Sequence, residues 1–201
     1  MNKIRVAVLV SGGGTNLQAL LDARETVIRH GEIALVISNN PKAYALERAK
    51  AAGVPSLVLS ARELGGREAF EAALLQALEE AQIELIVLAG FMTILSRDFT
   101  RRYEKRILNV HPSLIPAFCG QGFYGLRVHE AALARGVKLT GATVHYVNEI
   151  PDGGEILLQK AVEVLPDDTP ERLQRRVMEQ AEWILLPQAV EMAAVMLLRN
   201  K

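Results

Sequence analysis

The sequence predicts an α/β protein built on a Rossmann-like, doubly wound, mostly parallel sheet, with a C-terminal antiparallel hairpin and a long terminal helix. Two observations carry the sheet. Uncharged runs of Val, Ile and Leu alternate with amphipathic stretches through the first half, as strands covered on both faces require. Right-handed crossovers between such strands then wind the sheet in both directions. A third observation carries the rest. Beyond His111 the rhythm gives way to two longer strands around a turn rich in Asp and Gly, which reads as a hairpin.

The elements follow in order. Ile4–Val10 reads as a buried strand, and Asn16–Arg29 as a helix whose apolar face is Leu17, Leu20, Leu21 and Val27/Ile28. Ile33–Ile37 is a strand, Tyr44–Ala52 a helix stopped by Gly53, and Ser56–Leu59 a short strand. Arg67–Ala81 is a helix, Leu85–Ala89 a strand and Ser96–Tyr103 a short helix. Ile107–Val110 is the last parallel strand; Pro112 cannot join a ladder and ends it. Pro116–Gly125 is a loop of glycines and aromatics, followed by a helix over about Arg127–Arg135. Thr140–Val147 and Glu155–Val164 form the hairpin around Asn148–Gly154. Thr169 is placed as an N-cap with Pro170 at the first helical position. A helix then runs to about Leu198, with Pro187 inside it as a kink or break. No repeat or linker divides the chain, so residues 1–201 read as one domain.

Bulk properties narrow the function. Lys+Arg and Asp+Glu both number 23, so the net charge is zero. A nucleic-acid partner normally demands a clustered basic excess, and none is expected here. Small anions remain open, because backbone dipoles bind them without net charge. The single Cys119 excludes a disulfide framework within the chain and a multi-cysteine metal site, and reads as an incidental loop thiol. Met1–Val10 is too short and too charged, at Lys3 and Arg5, for a span or signal core. No other stretch approaches about 18 uncharged apolar residues. No membrane partner is expected, and the location expected is cytoplasmic.

Three motifs could carry chemistry. Ser11-Gly12-Gly13-Gly14-Thr15-Asn16 joins the first strand to the first helix. Its glycines allow close backbone approach to an anion, and the helix start offers free N–H groups. It has neither the spacing of a dinucleotide fingerprint nor the lysine of a P-loop, so a monophosphate suits it better. A glycine turn serving only strand-to-helix packing is the alternative. Asn109 and His111, two apart on a strand, project from one face and pair an amide donor with a group that titrates near neutrality. That combination suits chemistry passing through an oxyanion. Asp152, in Pro151-Asp152-Gly153-Gly154, reads locally as turn chemistry. If the turn folds over the C-terminal edge of the sheet, it faces His111 and favours the imidazolium. Phe91–Leu95 lines a pocket for a flat ring or packs the core; pattern alone does not separate the two. His30, His129 and His145 are poorer candidates, without metal-ligand spacing.

Together these residues resemble the formyltransferase family that uses 10-formyltetrahydrofolate, over essentially the whole chain. The resemblance rests on SGGGTNLQAL (11–20), GREAF (66–70), VLAGFMTIL (87–95), LNVHPSLIPAF (108–118), GATVHYVNEIPDGG (141–154) and Glu182, five residues before Pro187. It implies direct formyl transfer from 10-formyltetrahydrofolate, as co-substrate, to the amine of glycinamide ribonucleotide in de novo purine synthesis. No metal and no covalent intermediate are expected. The resemblance gives Asn109, His111 and Asp152 catalytic roles. Gly14, Thr15 and Asn16 would hold the phosphate, and Glu182 the sugar or amine end. Arg67, Leu88, Met92, Thr93, Ile94, Leu95 and Asn109 would border the folate, with the pteridine near Leu88 and the backbone of Asn148–Asp152. A phosphate-binding half (about 1–105) and a catalytic and folate-binding half (about 106–201) follow from it. A homodimer is compatible with it. Two features depart from the family. Thr93 stands where many members carry Arg, and the segment Phe118–Gly125 is several residues longer, reshaping the folate entrance or serving as an oligomer contact. Within the superfamily, a tRNA formyltransferase would be expected to add a C-terminal RNA-binding domain. A formyltetrahydrofolate hydrolase would be expected to add an N-terminal regulatory one.

Overall fold

The computed structural model of the chain describes residues 3–201. A seven-stranded sheet runs through it in the order β3-β2-β1-β4-β5-β6-β7. The strands are β1 (Ile4–Val10), β2 (Gly31–Ser38), β3 (Ser56–Val58), β4 (Leu85–Leu88), β5 (Ile107–His111), β6 (Leu139–Tyr146) and β7 (Ile156–Glu163). The first five are parallel; β6 pairs antiparallel with β5, and β7 antiparallel with β6. The mostly parallel sheet with its closing hairpin is therefore as the sequence predicts.

The pleat of β1 divides the core. Ile4, Val6, Val8 and Val10 face one layer, which holds α1 (Thr15–Asp22), α2 (Ala45–Ala51) and the C-terminal helices. Ala7 and Leu9 face the other, where α4 (Arg67–Glu80) lays down Phe70, Leu74 and Leu78 at helical spacing beside Phe99 of α5 (Arg97–Arg102). A single turn, α3 (Ala61–Leu64), precedes α4, and α6 (Leu126–Arg135) packs against α7 (Pro170–Val177). The chain leaves β1 toward β2 and later returns to place β4 on its other side. That reversal opens a crevice at the C-terminal ends of β1 and β4, the place where open α/β sheets bind ligands.

Two boundaries differ from the sequence reading. The first helix stops at Asp22 rather than Arg29. Thr26, Val27 and Ile28 are β-branched and helix-averse. The N–H groups of Val27 and Ile28 both turn back to the Ala23 carbonyl, which delivers Ile28 to the core. Glu191 then accepts the N–H groups of Arg29 and His30 at 2.8 and 2.9 Å and feeds the chain into β2. The second difference concerns Pro187, which does not break the helix. The irregularity lies a turn earlier, as a π-helical turn over Met178–Glu182, and α8 (Trp183–Arg199) runs through the proline. Thr169 caps α7 as expected, accepting the Arg172 N–H. The run Pro170–Arg199 contains a window apolar enough to cross a membrane by composition, but half of it is buried. Leu185, Leu186, Ala189, Val190, Ala193 and Ala194 pack into the domain, as in a core helix.

Candidate active site

β5 ends at His111, immediately before Pro112, and presents Asn109 and His111 on one face. The β5–β6 register sets His145 opposite Asn109 and Thr143 opposite His111. Thr143 fixes the chain as it leaves the strand. Its Oγ1 donates to the Ser113 carbonyl at 2.7 Å and accepts from the Ile115 N–H at 3.1 Å.

The hairpin turn does fold over this edge. Asn148 Oδ1 accepts the Ile150 N–H at 2.9 Å, and Gly154 comes so near β6 that a Cβ would stand 1.7 Å from the Tyr146 carbonyl oxygen. Asp152 holds a left-handed φ of 55°, a conformation Asp tolerates better than most side chains. Its Oδ2 lies 3.5 Å from His111 Nδ1 and accepts the Gly120 N–H at 2.8 Å. Its Oδ1 lies 3.6 Å from His145 Nε2. Burial pushes the Asp152 carboxyl up, but the His145 ring, the Gly120 N–H and His111 together hold it below its ordinary value. It is therefore a carboxylate at neutral pH. His111 Nε2 faces the Phe118 carbonyl at 2.8 Å; a carbonyl only accepts, so that nitrogen carries the proton. Asn109 Nδ2 donates to His145 Nε2 at 3.2 Å.

Two of the histidines set aside in the sequence therefore return. His145 joins the site because the antiparallel register puts it beside Asn109. The signal was a histidine on the strand next to β5, legible only once the register was known. His129 is wholly buried, and among the described residues neither ring nitrogen has a partner. Burial and the neighbouring His111 lower its pKa to about 4, so it is neutral.

Two clefts meet at this cluster. The larger, about 620 Å³, runs from Asn109, His111 and Asp152 past Gly120–Gly125 to Asn16 and Glu182. The smaller, about 130 Å³, is lined by Leu88, Thr93, Ile94, Leu95, His145 and the turn Asn148–Asp152. Asn109 and Asp152 belong to both.

Glu182 reaches the far end of the larger cleft from the π-helical turn. It is buried and accepts a hydrogen bond from Asn16 Nδ2 at 2.7 Å. Burial pushes its pKa up from 4.5 to about 6, the Asn16 hydrogen bond opposing the rise. A carboxyl raised in the folded state adds stability while protonated and loses it as pH climbs through the folded value. Glu182→Gln should therefore match the parent below about pH 4.5 and exceed it above about pH 6, by about 2 kcal/mol. Urea midpoints at about pH 4 and about pH 7.5 check this; a gap that ignores pH contradicts it.

The remaining predicted residues divide. Of the phosphate-loop candidates, Asn16 lines the large cleft, and Gly14 caps α1 with φ 73°. Thr15 borders a separate hollow with Gln18, Asp22, Arg48 and Trp183. Leu88, Thr93 and Leu95 line the small cleft, Met92 the large one and Ile94 both. Arg67 lines neither; it sits exposed at the start of α4, paired with Glu71 at 3.3 Å. Thr93 is tied down by Asn39 Nδ2 at 2.8 Å. The long loop borders the large cleft rather than the small one, and grips both His111 and Asp152 through its backbone. Burial and the Asp152 charge raise the Cys119 thiol, which disfavours its thiolate. Among the described residues, no group of three His, Cys, Asp or Glu side chains is placed to hold a metal ion.

An amide, an imidazole and a carboxylate thus meet at the junction of two clefts. The family model described as formyl transferase matches residues 4–190, and the chain belongs to that family. It is 40% identical to a phosphoribosylglycinamide formyltransferase of Haemophilus influenzae, over 93% of this chain and 85% of the relative. It is 45% identical to the trifunctional purine biosynthetic protein adenosine-3 of Gallus gallus, over 96% of this chain. There it spans only 19% of the relative, so it corresponds to a fraction of that longer protein. The crystal structure of glycinamide ribonucleotide transformylase 1 from Symbiobacterium toebii superimposes with a TM-score of 0.89 at 43% identity, covering 96% of this chain and 89% of that one.

Proposed function

We propose that the protein transfers the formyl group of 10-formyltetrahydrofolate to the amine of N1-(5-phospho-D-ribosyl)glycinamide, giving the N2-formyl product and tetrahydrofolate, in purine synthesis. The observation that carries this reading is the pair of clefts sharing Asn109 and Asp152. The small apolar cleft suits a pteridine. The large one leads from the reacting centre to Asn16 and Glu182, where a buried carboxylate with a single donor suits a ribose or an amine. The glycine loop before α1 suits the phosphate. The Haemophilus and Symbiobacterium relatives, named for that activity, point the same way.

In this reading the glycinamide amine attacks the formyl carbon, and its oxygen gains negative charge. Asn109 Nδ2 and the His111 Nε2–H are donors for that oxygen, and His111 is also the donor toward the departing N10. Use of the Nε2–H requires the Phe118 carbonyl to yield it. Asp152, ionised 3.5 Å from Nδ1, stabilises positive charge on the ring and takes up the proton lost by the amine, through a water.

Mixing the protein with both substrates and following loss of the formyl absorbance tests the proposal. Turnover that depends on the ribonucleotide is expected. Formyl loss with water as the sole acceptor would assign the site to a hydrolase instead, and no loss at all would overturn the reading.

A further inference from the structure

The glycine loop is held from behind, carbonyl by carbonyl. Asn40 Nδ2 donates to the Ser11 carbonyl at 3.2 Å, the Ala45 N–H to Gly12 at 3.1 Å, and Arg48 Nε to Gly13 at 2.8 Å. In a trans peptide the N–H points away from the carbonyl of the same unit. The N–H groups of Gly12, Gly13 and Gly14 therefore face away from these three donors. Among the described residues, none of the three N–H groups has an acceptor within the chain. This is the arrangement of a backbone anion cradle, with its back fastened and its front open.

Arg48 differs from the other two fasteners. It also donates through Nη1 to Gln18 Oε1 at 2.9 Å, one turn into α1, and its guanidinium lies over the Tyr44 ring, 5.1 Å from the centroid. None of the ion pairs among the described residues includes it, so no carboxylate neutralises its charge. Gly14 is packed onto it. A Cβ there would stand 2.6 Å from Ala45 Cβ and 3.3 Å from Arg48 Cδ, besides the strain of its positive φ. Neither Arg48 nor the three glycines line the large cleft, which the loop reaches through Asn16, so the influence of Arg48 on an anion at the loop passes through the Gly13–Gly14 peptide and through its field.

We infer that Arg48 is a positioning residue for the phosphate of the ribonucleotide: it turns the Gly13–Gly14 peptide so that its N–H faces the anion, and sets an unneutralised positive charge behind the loop. The inference rests on the reading that this loop takes the substrate phosphate. A purely structural role, joining α1 to α2, would leave phosphate recognition untouched.

The test compares glycinamide ribonucleotide with the same molecule lacking its phosphate, in the parent, Arg48→Met and Arg48→Lys enzymes. Arg48→Met keeps side-chain length while removing charge and donors. It should raise KM for the ribonucleotide about ten-fold or more, the worth of one charge-assisted hydrogen bond. The kcat and the folate KM should stay within about two-fold of the parent. Arg48→Lys, which keeps the charge and one donor, should recover part of the loss. For the dephosphorylated substrate the three enzymes should share one KM. An equal KM rise on both substrates, or no rise on either, overturns the role of Arg48. A parent enzyme indifferent to the phosphate overturns the cradle itself, and Arg48's part with it.

Discussion

Asp152→Asn should lower kcat about 10³-fold, within the usual range for losing a general acid–base partner, while KM for the ribonucleotide stays near its parent value. Asn is nearly isosteric and can still accept the Gly120 N–H, which now meets Asp152 Oδ2 at 2.8 Å. What disappears is the negative charge 3.5 Å from His111 Nδ1 and the only carboxylate shared by the two clefts. Single-turnover rates with both substrates saturating make the measurement, and a variant within ten-fold of the parent would remove Asp152 from the chemistry. Acidification supplies an independent check. The folded-state pKa of Asp152 is depressed, so its contribution to stability is present above the unfolded value of 3.8 and is lost only as pH falls through the still lower folded value. Activity lost between about pH 7 and about pH 5 must therefore come from other groups.

The site was legible in the sequence where its logic is local. Two side chains two residues apart on a strand share a face wherever that strand goes, so Asn109 and His111 needed only the apolar run before them and the proline after them. Asp152 needed one long-range supposition, that the hairpin turn covers the sheet edge, and two glycines with no room for a side chain made the tight turn readable. His145 was not legible. Its place depends on the β5–β6 register, and a shift of one residue would have turned it to the opposite face. His129 was set aside for want of metal-ligand spacing, and only the packing of α6 shows it buried against the cleft. The path after the first helix followed from a tertiary contact, Glu191 holding the N–H groups of Arg29 and His30, which local propensity only hinted at through three β-branched residues. The π-helical turn left no mark beyond Pro187, and it is what carries Glu182 to Asn16.

His111→Ala should cost about as much as Asp152→Asn, at least 10²-fold in kcat for a lost oxyanion donor and more if proton delivery to N10 also fails. The combination is the more searching experiment. If Asp152 acts by stabilising charge on His111, removing the imidazole leaves the carboxylate little to do. The double variant should then be no more than about ten-fold slower than His111→Ala alone, far from the product of the two single losses. Multiplying losses would mean that the carboxylate takes the amine proton independently of the ring. The structure favours coupling, because Asp152 Oδ2 faces His111 Nδ1 at 3.5 Å within a buried pocket. His145→Gln offers the control. It keeps an acceptor for Asn109 but removes the ring that faces Asp152 Oδ1, so a loss smaller than that of His111→Ala is expected, with Asn109 still oriented. A His145→Gln enzyme as slow as His111→Ala would instead make His145 the principal partner of Asp152, and would move the proton path from β5 to β6.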